Sequence, residues 1–257
     1  MTSRNSRLPI RPTVLTPHRL LAALSLLLVI AVAVGCNRQS VAEPPLIGEA
    51  RLSMAGLADG PPPPTFGPGP ATLAADPPSD PGAQLRIAGG RLTNDPSGPG
   101  RAAGYYTSAD LGGPITRIGA RWTFAPRGGS QGAMALVVSR NGLNLPFSVH
   151  LNITPKFWSF GVWPAGGGPG TGLQTLGYEQ FDVPLAQDGT TEHETQVVIE
   201  GERVDVTLPD GEHRVIRDPR IAEWAGSFAT FEVYADNAMT DSRAGFTDVW
   251  AESRDVG

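Results

Sequence analysis

Seven consecutive residues, Phe147-Ser-Val-His-Leu-Asn-Ile153, alternate apolar and polar without a break. Only an extended backbone has a side-chain period of two, so Phe147, Val149, Leu151 and Ile153 share one face and Ser148, His150 and Asn152 the other. The segment is predicted as a half-buried strand with His150 turned to solvent or a groove. Arg117 to Phe124 alternates likewise, Ile118, Ala120, Trp122 and Phe124 opposing Arg117, Gly119, Arg121 and Thr123. Met134 to Val138, Phe157 to Trp163, Gln196 to Glu200, Arg203 to Leu208, Phe228 to Asp236 and Phe246 to Ala251 extend the series. Gly201 and Pro209-Asp210-Gly211 mark successive hairpin turns, where glycine supplies positive φ. One short helix is expected, with Asp218 as N-cap, Pro219 in the first turn and Gly226 just past its end. Antiparallel meanders with one helix and no βαβ alternation predict an all-β sandwich.

The remaining sequence divides unevenly. Residues 1–19 carry Arg4, Arg7, Arg11 and Arg19 without an acid, and Leu20 to Gly35 carries no charge. This is the n-region and h-region pattern of a signal peptide over 1–35, and its sixteen apolar residues fall short of the ~20 of a spanning helix. Ala33-Val34-Gly35-Cys36 resembles a bacterial lipobox, which implies cleavage before Cys36 and lipidation of that residue. Cys36 is the only cysteine, which excludes an internal disulfide, a cysteine zinc site and a CxxC redox motif. Removing residues 1–35 takes four Arg and no acid, leaving 16 basic against 25 acidic residues, a net −9. Such a surface is repelled by anionic headgroups and disfavours nucleic acid as a partner.

Residues 36–83 contain Pro44-Pro45, Pro61 through Pro64, Pro68, Pro70, Pro77-Pro78 and Pro81 among Gly, Ala and Ser. The composition predicts a disordered tether, extended as polyproline II. All five Trp, all four Tyr and eight of nine Phe fall after residue 84, so the folded domain is expected over 84–257.

Leu85-Arg-Ile-Ala-Gly-Gly, Tyr105-Tyr106, Arg121-Trp122-Thr123-Phe124, Phe231-Glu-Val-Tyr234 and Phe246-Thr-Asp-Val-Trp250 resemble the strand series of concanavalin A-like lectin/glucanase (laminin G-like) jelly rolls. The export signal, lipobox and single Lys, Lys156, resemble lipoproteins of high-GC actinobacteria, mycobacteria among them. The resemblance implies an antiparallel jelly roll that binds saccharide on a concave sheet face. It implies ligand-binding roles for His150, Asn152, Trp158, Trp163, Glu232 and Tyr234.

Chemistry is less legible. The E-x-D-x-x-E pattern of family 16 glycosidases is absent. In Glu232-Val-Tyr-Ala-Asp236, the two acids lie ~13 Å apart along a strand at ~3.3 Å per residue. Retaining and inverting hydrolysis need ~5–5.5 and ~6.5–9.5 Å respectively. No Gly-x-Ser-x-Gly elbow or HExxH occurs. Gly166 to Gly172 lacks the ending of a phosphate loop. No cofactor is expected: Asp236, Asn237 and Asp241 could give oxygen ligands to Ca²⁺, but without the spacing of a known calcium loop they read as solvated turn residues. Three functions follow: a lipid-anchored, non-catalytic glycan-binding domain of the cell envelope, an envelope protein that binds another protein, or a glycoside hydrolase with acids from separate strands.

Overall fold

The computed structural model describes residues 43–126, 132–142, 146–164 and 172–255. The signal segment 1–35, Cys36 and most of the Gly166–Gly172 loop lie outside them. Residues Pro44–Gly257 form one compact unit. Its strands are, in chain order, β1 (Leu46–Ser53), β2 (Thr72–Asp76), β3 (Arg86–Ala88), β4 (Arg91–Thr93), β5 (Ala102–Thr107), β6 (Ile115–Ala125), β7 (Ala133–Ser139) and β8 (Ser148–Ile153). They continue with β9 (Phe157–Trp163), β10 (Gln174–Gln180), β11 (His193–Glu200), β12 (Arg203–Thr207), β13 (His213–Arg217), β14 (Phe228–Ala235) and β15 (Arg243–Arg254). The helix α1 spans Pro219–Trp224.

Two antiparallel sheets form the sandwich. One runs β13-β12-β11-β6-β15-β4-β3 with β1 also paired to β15, and the other runs β10-β9-β8-β7-β14-β5-β2. The predicted alternation is what closes the core between them. Trp122, Phe124 and Phe246 from the first sheet meet Leu136, Leu151, Phe160 and Phe231 from the second, all nearly devoid of solvent contact. Phe231 and Phe246 pack edge to face at 5.8 Å. Burial on this scale is the main force holding the sheets together.

The tether expectation is corrected from Pro44 onward. Leu46–Ser53 pairs along β15 and Thr72–Asp76 along β5, so both segments are strands of the sandwich. Phe66, the one aromatic in that stretch, stacks on Tyr106 at 5.1 Å and lies 5.8 Å from Phe231. Met54 is fully buried as well. The Tyr106 hydroxyl donates to the Pro63 carbonyl at 2.9 Å, and its burial pushes the phenol up to about 12. Prolines occupy the turns and the connection between the two strands, where no ladder N–H is required. The composition is therefore that of a packed loop, not of a spacer.

Local chemistry explains the smaller elements. The Asp218 side chain accepts from Arg220 N and caps α1, as expected. Gly201 and Gly211 adopt φ of 59° and 86° in the two hairpin turns. Gly226, by contrast, does not have positive φ. Ala225 closes the helix instead, and a Cβ on Gly226 would collide with the Ser139 carbonyl. Phe147 is not an inward strand residue. It takes φ of 69° just before β8, and its ring lies 5.4 Å from Trp224 of α1.

Candidate functional site

The face of the second sheet that points away from the core carries most of the predicted site. Pairing registers fix its rows. One runs Ala74, Tyr105, Glu232, Ala135, Asn152, Ser159, Tyr178 from β2 to β10. The next toward the β14 C-terminus contains Asp76, Ala103, Tyr234 and Ala133, and the next the other way contains Thr72, Thr107, Thr230, Val137, His150, Gly161 and Thr175. Strands lie ~4.8 Å apart, so Asn152 stands ~10 Å from Glu232 across a floor of Ala135.

Glu232 is the chemical centre of this face. It is 8% exposed. Burial pushes it up to about 7, with the Asp76 charge adding to that and Arg101 opposing it. Tyr105 and Tyr234 flank it, and burial first, then the neighbouring acids, holds both phenols above their ordinary value. The Tyr234 hydroxyl is bonded to Asp236, and the Arg101 guanidinium lies 5.5 Å from the centre of the Tyr234 ring. The Thr107 and Thr230 hydroxyls are bonded to one another at 2.7 Å. A neutral carboxyl between two phenols beside a cation is a donor and acceptor array over aromatic surface.

The six predicted site residues separate on this geometry. Glu232, Tyr234, Asn152, His150 and Trp163 share the outer face. Trp158 does not. It has the opposite parity to Trp163 in β9 and is packed into the core at 4% exposure, which corrects its assignment as a platform. His150 has the predicted parity but not the predicted exposure. It is 3% exposed, hydrogen-bonded through Nε2 to the Ser148 hydroxyl at 2.7 Å, and 5.8 Å from the Trp163 ring. A strand between two partners in mid-sheet shields even its outward side chains, and here flanking residues converge on the imidazole. Trp163 is half-buried, at the end of β9 paired with Ser148.

Sequence reasoning misses Tyr105, Arg101 and Asp76. Ala103, Tyr105 and Thr107 alternate with Ala102, Gly104 and Tyr106, so the outward parity of Tyr105 was available. Its neighbour Glu232, 127 positions later, was not. The candidate Ca²⁺ oxygens are used within their own turn. Asn237 Oδ1 accepts from Met239 N, Asp241 Oδ2 accepts from Asn237 N, and Asp236 holds the Tyr234 hydroxyl. Among the described residues no group of three or more His, Cys, Asp or Glu converges as a metal site.

No protein-family model matches the sequence, and no curated protein matches it. Solved structures do match the fold. The laminarinase from Rhodothermus marinus has a TM-score of 0.52 at 10% identity, over 83% of this chain and 98% of that one. The catalytic domain of an endo-1,3-beta-glucanase (laminarinase) from Thermotoga petrophila has a TM-score of 0.52 at 9% identity, over 79% and 96%. The CBM2 module of the evolved Dit of Lactobacillus casei BL23 phage J-1 has a TM-score of 0.50 at 12% identity, over 83% and 99%. At these identities the likeness is one of fold. The protein is an antiparallel β-sandwich of the jelly-roll class. Its fold is similar to that of the two laminarinases and the phage module.

Proposed function

We propose that the protein is a lipid-anchored, extracytoplasmic glycan-binding domain whose ligand lies against Glu232, Tyr234 and Tyr105. The observation that carries this reading is the Glu232 carboxyl: shielded from solvent, raised to about 7 by burial, and set beside Tyr105, Tyr234 and Arg101 on the outer face of the sheet. Tyr234 supplies ring surface, Asn152 and Arg101 further polar contacts. The activities named for the fold neighbours, that of an endo-1,3-beta-glucanase among them, favour saccharide over other polyhydroxylated ligands. Lipidation at Cys36 rests on the Ala33–Cys36 sequence alone. The test is affinity electrophoresis of the full chain in gels containing laminarin and other neutral glucans. Retardation that Glu232→Gln and Tyr234→Ala reduce supports the reading, and unchanged mobility across the panel refutes it.

A second reading has a specific observation in its favour. Glu232 is protonated near neutrality as a general acid requires, and Asp76 is close enough to bias its titration. In that reading Glu232 protonates the leaving oxygen of a glycosidic bond; the registers put Asp76 two strands and one row away, ~12 Å by backbone spacing, so the second carboxylate must come from another residue. Release of reducing ends from laminarin, abolished by Glu232→Gln, would favour it over simple binding.

A further inference from the structure

The row that carries Glu232 runs on past Asn152, through Ser159 of β9 to Tyr178 of β10, the last strand of its sheet. Tyr178 is 54% exposed, and its ring lies 5.3 Å from that of half-buried Phe157, tilted by 42°. Phe157 is paired with Gln180, so the edge of the sheet presents two adjoining rings with an exposed amide beside them. A single exposed aromatic residue needs no explanation. An outward pair of rings on a polar edge, in register with Glu232, does.

The local sequence of β10 aims this pair. In unbroken alternation, residues three positions apart face opposite ways. The register shifts between Thr175 and Gly177, and Thr175 and Tyr178 consequently share the outer face, Thr175 opposing Gly161 in the His150 row and Tyr178 opposing Ser159. Re-aiming a side chain is a recurrent use of a β-bulge. Gly177 takes the inward place between them, against Trp158 and Ile216.

Four strand spacings separate Glu232 from Tyr178, ~19 Å at ~4.8 Å each. The side chains between are short. Ala135 lies beneath its larger neighbours, and Asn152 and Ser159 are half-buried. At one end Tyr234 stands beside Glu232, and at the other Phe157 stands beside Tyr178. One sugar ring would use one end and leave the other idle, whereas a chain laid along the row meets both. Asn152, Ser159 and Gln180 on this path offer hydroxyl and amide groups and no charge, which suits a neutral chain.

We propose that Tyr178 and Phe157 form the far platform of the Glu232 site, whose ligand is a neutral glycan chain of about four sugar units crossing from β14 to β10. The inference rests on the Glu232 reading, because Glu232 holds the other end of the same ligand. Each end raises the local concentration of the chain at the other, so affinity grows with chain length until both are occupied.

The experiment is isothermal titration of the full-length protein, purified in detergent, with laminari-, cello- and manno-oligosaccharides, each from dimer to hexamer. In the series that binds, the hexamer should exceed the dimer in affinity roughly tenfold or more. Tyr178→Ala should remove most of that gain, roughly fivefold or more, and change the affinity for the dimer held at Glu232 by less than about twofold. Tyr178→Phe keeps the ring and should keep the gain, while Glu232→Gln should weaken every length. Binding that Glu232→Gln weakens, but that neither chain length nor Tyr178→Ala alters, overturns the far platform and leaves the Glu232 reading standing. Binding that Tyr178→Ala abolishes and Glu232→Gln leaves untouched overturns both, as does the absence of binding at any length. A ring pair that only pins the edge strand predicts that Tyr178→Ala lowers the urea midpoint and weakens all lengths alike, and that result also overturns the platform.

Discussion

Replacing Glu232 by Gln should change how the stability of this protein depends on pH, and the structure gives the sign and the size. The carboxyl is raised from an ordinary 4.5 to about 7, chiefly by burial, with Asp76 and Arg101 as the charges that bias it. In the unfolded chain it ionises near 4.5. Between the two values the folded state holds a proton that the unfolded state has released, so stability falls as pH rises through that window and levels off above about 7. At ~1.36 kcal/mol for each pH unit the window spans, the loss amounts to roughly 3 kcal/mol. Glu232→Gln keeps the volume and removes the titration. The variant should match the parent near pH 4 and exceed it by up to ~3 kcal/mol at pH 8. Buried His193, held below its usual value, acts in the opposite sense, since its contribution is lost as pH falls below about 6.5. It is common to both proteins and cancels in the difference. Urea unfolding followed by tryptophan fluorescence at several pH values measures that difference directly. Parallel profiles for parent and variant would show that Glu232 is ionised in the folded protein, and would refute a neutral carboxyl at this site.

Phe66→Ala should cost ~3–5 kcal/mol in urea unfolding, because the ring stacks on Tyr106 and meets Phe231 edge-on. A loss below ~1 kcal/mol would return the proline-rich segment to the status of a spacer. Gly119→Ala should destabilise by ~1–3 kcal/mol and shift Trp250 fluorescence, since the added methyl displaces the indole. An unchanged emission spectrum would contradict the close seating of the ring against Gly119. Cys36→Ala should move the protein from membrane to soluble or unprocessed fractions, and unchanged membrane retention of a cleaved chain would exclude the lipid.

Much of this fold is written in the alternation. β6, β7, β8, β9, β11, β12 and β14 were legible because each has one face in the core, and a residue's parity then decides its side. Parity also separates Trp158 from Trp163, a distinction available in the sequence that aromatic character alone obscures. β1, β2, β10 and β13 were hidden for a different reason. They are edge strands or nearly so, only β1 has a residue fully in the core, and their apolar side chains are too few to mark a period. The site was half legible. Glu232 and Tyr234 announce themselves on one strand, but Tyr105, Arg101 and Asp76 join them only through strand pairing, which no local pattern encodes. The burial of His150 depends on a whole sheet closing around β8.

The pairing of Leu46 with Arg254 shortens the leash. A spacer ending at residue 83 would have let the domain wander; the first strand instead begins ten residues after Cys36. At ~3.3–3.6 Å per residue, that stretch reaches ~35 Å at full extension. A domain acylated at Cys36 would have its near side held within ~35 Å of the bilayer, so a glycan could meet it only close to the membrane.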